Sequence, residues 1–348
     1  MENKNRKILV VYTGGTIGMM PDAQSGMTLA PKSGYLAESL RQIPELKAAG
    51  HEFDLIEYNP LLDSSNMTPA TWVQIATDIE QHYDRYHGFV VLHGTDTLAY
   101  TSAALSFFVE GVRKPIVVTG SQLPFGVPRS DALNNIVTAF QVAATMPSEL
   151  AQVCIVFGSR ILRGNRATKI SAAAYDAFDS PRFPYVGEVG IDITYNFDLE
   201  VDNNAAELRI QTVPPPNNSI AVVRLFPGFS ASIINSLCTN PELKGIVLEA
   251  YGSGNGPSLD QDFLASILAA RQRGVVVVVV AQPAEGSVNF GNYAAGNALG
   301  KAGAVSGYDL TTEAALTKLY YLISRTDDPA VIEVQLQVPL SGEMNLIN

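Results

Sequence analysis

The chain is poor in cysteine: only Cys154 and Cys238 occur in 348 residues, far apart and in or beside apolar segments. That excludes a disulfide framework and any CxxC metal or redox motif, and free cysteines in such settings read as core residues of a protein kept in a reducing cytoplasm. Positive charge is also short. With 23 Lys and Arg against 34 Asp and Glu, the net charge of −11 repels nucleic acid and anionic lipid at long range, so neither is expected as a partner. Long apolar runs are missing, and the longest, Val275 to Ala281, falls far below the ~20 residues of a membrane-spanning helix. The opening MENKNRKILVVYTGG has a basic flank, but its apolar run is too short for a secretory signal. A soluble, unexported protein is expected.

Several cofactor signatures fall short as well. Thr13-x-Gly15-x-x-Gly18 is one glycine away from the dinucleotide fingerprint, and Glu57 lies too far downstream for the ribose acid. Gly296 to Lys301, GNALGK, lacks the phosphate-loop spacing and the following Ser or Thr. Asp and Glu are scattered without His or Cys partners at ligand spacing. No cofactor and no catalytic metal are expected.

What is present is core-forming material, 47% hydrophobic and 16% charged, in a chain longer than the ~250–300 residues at which single cores stop growing. Two domains are expected. Short β-branched runs, ILVVY (8–12), FVVLH (89–93), PIVVTG (115–120), VCIVFG (153–158), AVVRLF (221–226), GIVLEAY (245–251) and VVVVVV (275–280), alternate with helical patterns over 68–87, 97–110, 130–146, 258–273 and 311–324. Strands apolar on both faces belong to a parallel sheet covered by helices, so the fold class is α/β. Residues 195–219 combine weak periodicity with a triple proline and an Asn pair, which reads as a short hairpin or extended crossing and then a stiff connector. The expected organisation is an N-terminal domain over 1–198, a linker over 199–218 and a C-terminal domain over 219–348.

Three strands end alike, in VVYTGGTIG, VVLHGTDTLAYTSA and VVTGSQLP. Strand C-termini of a parallel sheet share one edge, where open α/β folds bind ligands; Thr13, Thr16, Thr95, Asp96, Thr97, Ser121 and Gln122 are therefore expected to converge. Taken singly, each is accounted for by a helix cap or a turn. Together, three hydroxyl-rich ends point to a site. A hydroxyl nucleophile needs a base or proton relay and donors for an oxyanion. Of four histidines only His93 lies near this cluster, where it reads as structural; no GxSxG elbow occurs. The alternative is lysine. In RILRGNRATK the arginines Arg160, Arg163 and Arg166 read as a solvated basic face, while Lys169 follows a strand aimed at the same edge, where it can exchange a proton through Thr95 beside Asp96.

The segments YTGGTIGM, PLLDSSNMTP, HGTDTLAYTSAALSF, VTGSQLP, RGNRATK and YGSGNGP, in that order, resemble those of the bacterial type I (cytoplasmic) L-asparaginases, from residue 8 to about 325. The resemblance implies a larger N-terminal doubly wound domain and a smaller C-terminal α/β domain, assembled as intimate dimers and often tetramers. It also implies hydrolysis of L-asparagine to L-aspartate and ammonia without a cofactor. In that pattern Thr16 is the nucleophile and forms an acyl-enzyme, and Thr95, Asp96 and Lys169 form a second triad that activates a nucleophile. Asp63, Ser64 and Ser65 match the substrate loop, with Ser64 on the α-carboxylate and Asp96 on the α-ammonium; Asn255 reaches a neighbouring subunit's site.

By the same resemblance Met19 to Pro31 is a closing lid, yet Gly26-Met27-Thr28-Leu29 stands where relatives carry GYxP, leaving Tyr35 as the nearest phenol. Glu249 and Pro283 stand where some relatives place the arginine and cysteine of an allosteric asparagine site, so weak or absent allostery of that kind is expected. Two other readings share the motifs: the amidase subunit of a tRNA-dependent amidotransferase, which carries an extra N-terminal domain where this chain's first strand begins at residue 7 or 8, and a non-catalytic asparagine sensor, which has no need of both Thr16 and Lys169.

Overall fold

The computed structural model describes residues 6–21, 29–201, 207–291 and 294–346. The chain divides into two compact units, Met1–Thr212 and Val213–Asn348, a division that falls inside the 199–218 segment. Arg209–Ile210 pairs antiparallel with Val109–Glu110, so this stretch is strand of the first unit and not free connector.

The first unit is built on an eight-stranded sheet. In chain order its strands and main helices are β1 (Lys7–Gly14), β2 (Glu52–Leu62), α1 (Pro69–His82), β3 (Gly88–Leu92), α2 (Leu98–Phe108), β4 (Ile116–Thr119), α3 (Ala132–Thr145), β5 (Val153–Phe157), β6 (Arg160–Arg163), β7 (Gly187–Val189) and β8 (Ile193–Tyr195). The spatial order is β8-β7-β6-β5-β4-β3-β1-β2. β2, β1, β3, β4 and β5 are parallel, and β6, β7 and β8 add antiparallel pairs at the far edge.

Burial on both faces drives the central strands. Ile8, Leu9, Val10, Val11 and Tyr12 are at most 1% exposed, and each such side chain contributes ~1.5–3 kcal/mol of burial. One face (Ile8, Val10, Tyr12, Val90, Leu92, Val117, Cys154) packs on Ile136, Ala139, Phe140 and Ala143 of α3 and on Leu36 and Leu40. α1 and α2 cover the opposite face. The helical pattern over 68–87 ends as α-helix at His82, and Tyr83–Arg85 follows as a 3-10 turn.

Position of the site follows from connectivity. β1 lies between β2 and β3, the next two strands of this sheet in chain order, which sit on its opposite sides. Such a reversal opens a crevice beyond the strand C-termini, and there the chain turns at Thr13–Thr16 and at His93–Asp96.

The second unit has a four-stranded parallel sheet, in the order β9 (Ile220–Arg224), β10 (Gly245–Ala250), β11 (Val276–Ala281), β12 (Val305–Ser306). Phe263, Ile267 and Ala270 of α4 (Gln261–Gln272) cover one face; α5 (Thr312–Ile323) and α6 (Pro329–Leu336) pack on the sheet as well.

Candidate active site

Two glycines let three segments meet. After β1 the backbone N–H of Gly15 donates to Leu62 O (3.1 Å) and Thr13 Oγ1 donates to Leu92 O (3.1 Å), tying the turn to both neighbouring strands. Gly15 has φ of 90°, and a Cβ on it would overlap the Cα and N of Gly94; a Cβ on Gly94 would lie 2.5 Å from Ser64 Oγ. Only residues without side chains permit this stacking. TGGT, HGTD and DSS are thereby brought together. Thr16 opens a 3-10 turn through Gly18 and is half-buried, while Ile17 behind it is buried and its carbonyl accepts from Phe125 N (2.9 Å).

Beside this junction Lys169 Nζ donates to Thr95 Oγ1 (2.9 Å) and to Asp96 Oδ1 (2.8 Å). The environments differ sharply: Thr95 is buried, the Lys169 side chain is 20% exposed and the Asp96 side chain 67% exposed. An exposed carboxylate gains little from its ion pair alone, so the chemistry of interest is the contact to Thr95. With a lone pair committed to Lys169, the Thr95 hydroxyl turns its own proton to Gln122 Oε1 (3.4 Å). The Gln122 amide is oriented by Nε2 donating to Ala174 O (3.1 Å).

The 120–123 loop is held by residues that sequence reasoning missed. The Asp131 carboxylate accepts from Gln122 N (3.0 and 3.1 Å), Leu123 N (3.1 Å) and Asn135 Nδ2 (3.1 Å), and Asn135 Nδ2 also donates to Gly120 O (3.0 Å). Asp131 stands at the N-cap of α3 but makes no side-chain cap bond there. Its position matches an ordinary helix cap, which is the only signal the sequence carries.

His93 is wholly buried, with Nδ1 2.7 Å from Gly94 O and Nε2 2.9 Å from Thr101 Oγ1. Burial pushes its pKa down to about 4, and the Gly94 carbonyl offsets only part of that. At neutral pH it is an uncharged structural group, in line with its sequence reading.

The remaining expected residues fall as follows. Ser64 is buried and its carbonyl accepts from Thr97 Oγ1 (2.7 Å). Asp63 and Ser65 are exposed; Asp63 Oδ1 accepts from Ser65 N and Ser65 Oγ (both 2.9 Å), capping the Ser64–Asn66 turn. Ser121 is buried, donating to Leu123 O (2.5 Å). Tyr35 spends its phenol on Phe125 O (3.2 Å), in the loop that also holds Ile17. Gly26-Met27-Thr28 and the rest of 22–28 in the lid lie outside the described residues. Asn255 belongs to the second unit, where its N–H donates to Tyr251 O (2.7 Å) and its buried Oδ1 has no hydrogen-bond partner. Glu249, also there, accepts from Arg224 (3.2 Å) and Thr312 Oγ1 (2.7 Å).

One expectation is corrected. Arg163 and Arg166 do not form a solvated face: they are 5% and 1% exposed, and both guanidinium groups lie 4.5 Å from the ring centroid of Phe183. Cation–π stacking and hydrogen bonds from Arg163 to Gln152 Oε1 (2.8 Å) and Glu200 O (2.7 Å) make that burial tolerable.

Among the described residues no group of three or more His, Cys, Asp and Glu is arranged to hold a metal ion, and no helix is long and apolar enough to cross a membrane.

Comparison with known proteins bears on this geometry. The family model described as "Asparaginase, N-terminal" matches residues 7–201, and "Glutaminase/Asparaginase C-terminal domain" matches 219–335. The chain is similar to L-asparaginase 1 of Escherichia coli K12, 43% identical with 98% of each chain covered. It is similar to the 60 kDa lysophospholipase of Homo sapiens, 38% identical over 97% of this chain and 61% of the human protein. Among solved structures, L-asparaginase I from Vibrio cholerae superimposes with a TM-score of 0.89 at 42% identity, covering 98% of this chain and 99% of that one.

Proposed function

The chain belongs to the asparaginase family, and from that premise we propose that it is an L-asparaginase, hydrolysing L-asparagine to L-aspartate and ammonia. The observation that carries the reading is the contact of Lys169 Nζ with Thr95 Oγ1 at 2.9 Å, next to the Gly15–Gly94 packing that sets the Thr16 turn against the Thr95 turn.

In the proposed scheme Thr16 Oγ attacks the side-chain carbonyl carbon of asparagine. The tetrahedral intermediate collapses to a β-aspartyl ester on Thr16, and the proton lost by the hydroxyl leaves on ammonia. Water then attacks the ester, and the proton it loses passes by way of the Thr95 hydroxyl, which Lys169 holds in place, to the departing Thr16 oxygen, restoring that hydroxyl. Ser64 holds the substrate α-carboxylate and Asp96, free enough of its surroundings to meet a ligand, holds the α-ammonium. Asp63 and Ser65 shape the same loop. Asn255 would complete a neighbouring subunit's site in a dimer or dimer of dimers, and the enzyme would work in the cytoplasm.

Side-chain chemistry of this kind separates asparagine from glutamine weakly, since one methylene is worth only ~1–3 kcal/mol. The test is ammonia release from L-asparagine, L-glutamine and D-asparagine by the purified protein and by Thr16→Ala. Release from L-asparagine that disappears in the variant is expected. Equal inertness of both, with asparagine still bound, would favour a sensor.

A further inference from the structure

His93 reaches Thr95 by a path that the scheme above leaves unused. Trp72 Nε1, which can only donate, lies 3.0 Å from Thr101 Oγ1. That oxygen accepts the indole proton and so turns its own toward His93 Nε2, 2.9 Å away. A nitrogen that accepts carries no proton, so the ring proton sits on Nδ1 and is donated to Gly94 O at 2.7 Å. Thr101 and His93 are both wholly buried, and no competing water is needed to complete the chain.

The acceptor is the telling part. The Gly94 carbonyl shares one peptide plane with the Thr95 N–H. Gly94 must lack a Cβ because Gly15 and Ser64 press against it, and a glycine is the residue whose backbone is least constrained. We propose that His93 is a positioning residue for Thr95, held as the neutral Nδ1–H tautomer by the one-way chain Trp72 to Thr101 to His93 and removing the freedom that the close packing at Gly94 introduces. This rests on the reading that Thr95 takes part in proton transfer.

Two amide substitutions separate the ring's ends. In His93→Asn the side-chain nitrogen stands where Nδ1 stood and keeps the bond to Gly94 O; in His93→Gln the amide reaches toward the Nε2 position and that bond is lost. With folding checked by near-ultraviolet circular dichroism, His93→Gln is expected to lower kcat by on the order of 10- to 100-fold, as for an active group displaced by about an ångström, with KM changed much less. His93→Asn is expected to retain most of the rate. Nitrogen-15 spectra of the wild-type ring at neutral pH should show the proton on Nδ1. A folded His93→Gln at the wild-type rate, a His93→Asn as impaired as His93→Gln, or a proton on Nε2 would each overturn the proposal. Thr95→Val run in parallel distinguishes the premise: full activity there removes the Thr95 reading itself, whereas an inactive Thr95→Val beside a fully active His93→Gln removes only the role given to His93.

Discussion

Acidification should destabilise the first unit through one residue, and the size of the effect follows from where His93 sits. An unfolded histidine binds its proton near pH 6.5, whereas the folded ring, wholly buried, does so only near pH 4. Above about 6.5 the ring is neutral in both states and contributes nothing to the pH dependence. Between about 6.5 and 4 the unfolded chain binds more protons than the folded one, so folding stability falls as pH falls, and the loss is complete below the folded value. The gap, at about 1.4 kcal/mol per pH unit, is worth on the order of 3 kcal/mol. His93→Asn removes the titrating group. Urea unfolding of both proteins from pH 8 to pH 4, followed by fluorescence of Trp72, the only tryptophan and itself hydrogen-bonded to Thr101, isolates this contribution because all other titrations cancel in the difference. The wild-type advantage should be constant above pH 7 and shrink by on the order of 3 kcal/mol on approaching pH 4. A difference that stays flat across the range would refute the burial argument.

Lys169→Met should cut kcat by roughly 10²- to 10⁴-fold, the usual value of a positioned proton-transfer group, while asparagine binding measured by calorimetry changes little; unchanged turnover would take Lys169 out of the mechanism. Gly15→Ala should abolish activity, because its Cβ would overlap the Gly94 backbone at a φ of 90°; an active variant, read by ammonia release, would mean that the two turns are not packed as described. In the second unit Lys318 and Glu343 form a wholly buried ion pair at 2.6 Å, Lys318 also donating to Leu336 O (3.0 Å) and Val338 O (2.7 Å). Lys318→Met leaves the carboxylate unpaired and should cost about 3–5 kcal/mol in chemical denaturation, most of it recovered when Glu343→Gln is added.

The central strands were legible in the sequence because burial on both faces leaves a run of apolar residues, as in Ile8–Val11 and Val276–Val280. β7 and β8 were not, since they are three-residue antiparallel strands with half-exposed side chains. The approach of Lys169 to Thr95 was expected for a topological reason that does not hold: the strand before it, Arg160–Arg163, runs antiparallel to Val153–Phe157 and ends at the opposite sheet edge. Lys169 meets Thr95 from the separate short strand Thr168–Lys169, paired with Phe178–Asp179. Arg163 and Arg166 misled because charge at a spacing of three looks solvated, and Phe183 and the Glu200 carbonyl that make their burial tolerable lie well along the chain. Asp131 was hidden by resembling a helix cap. The tautomer of His93 depends on Trp72 and Thr101, from two different helices, and no local pattern announces such a meeting.

The claim on which the rest depends is that Thr16 becomes covalently acylated. Rapid-quench peptide mass spectrometry during asparagine turnover tests it most directly. The account predicts a β-aspartyl ester on the peptide containing Thr16, absent in Thr16→Ala together with ammonia release. Sustained turnover by Thr16→Ala, or an acyl group on another residue, would contradict it.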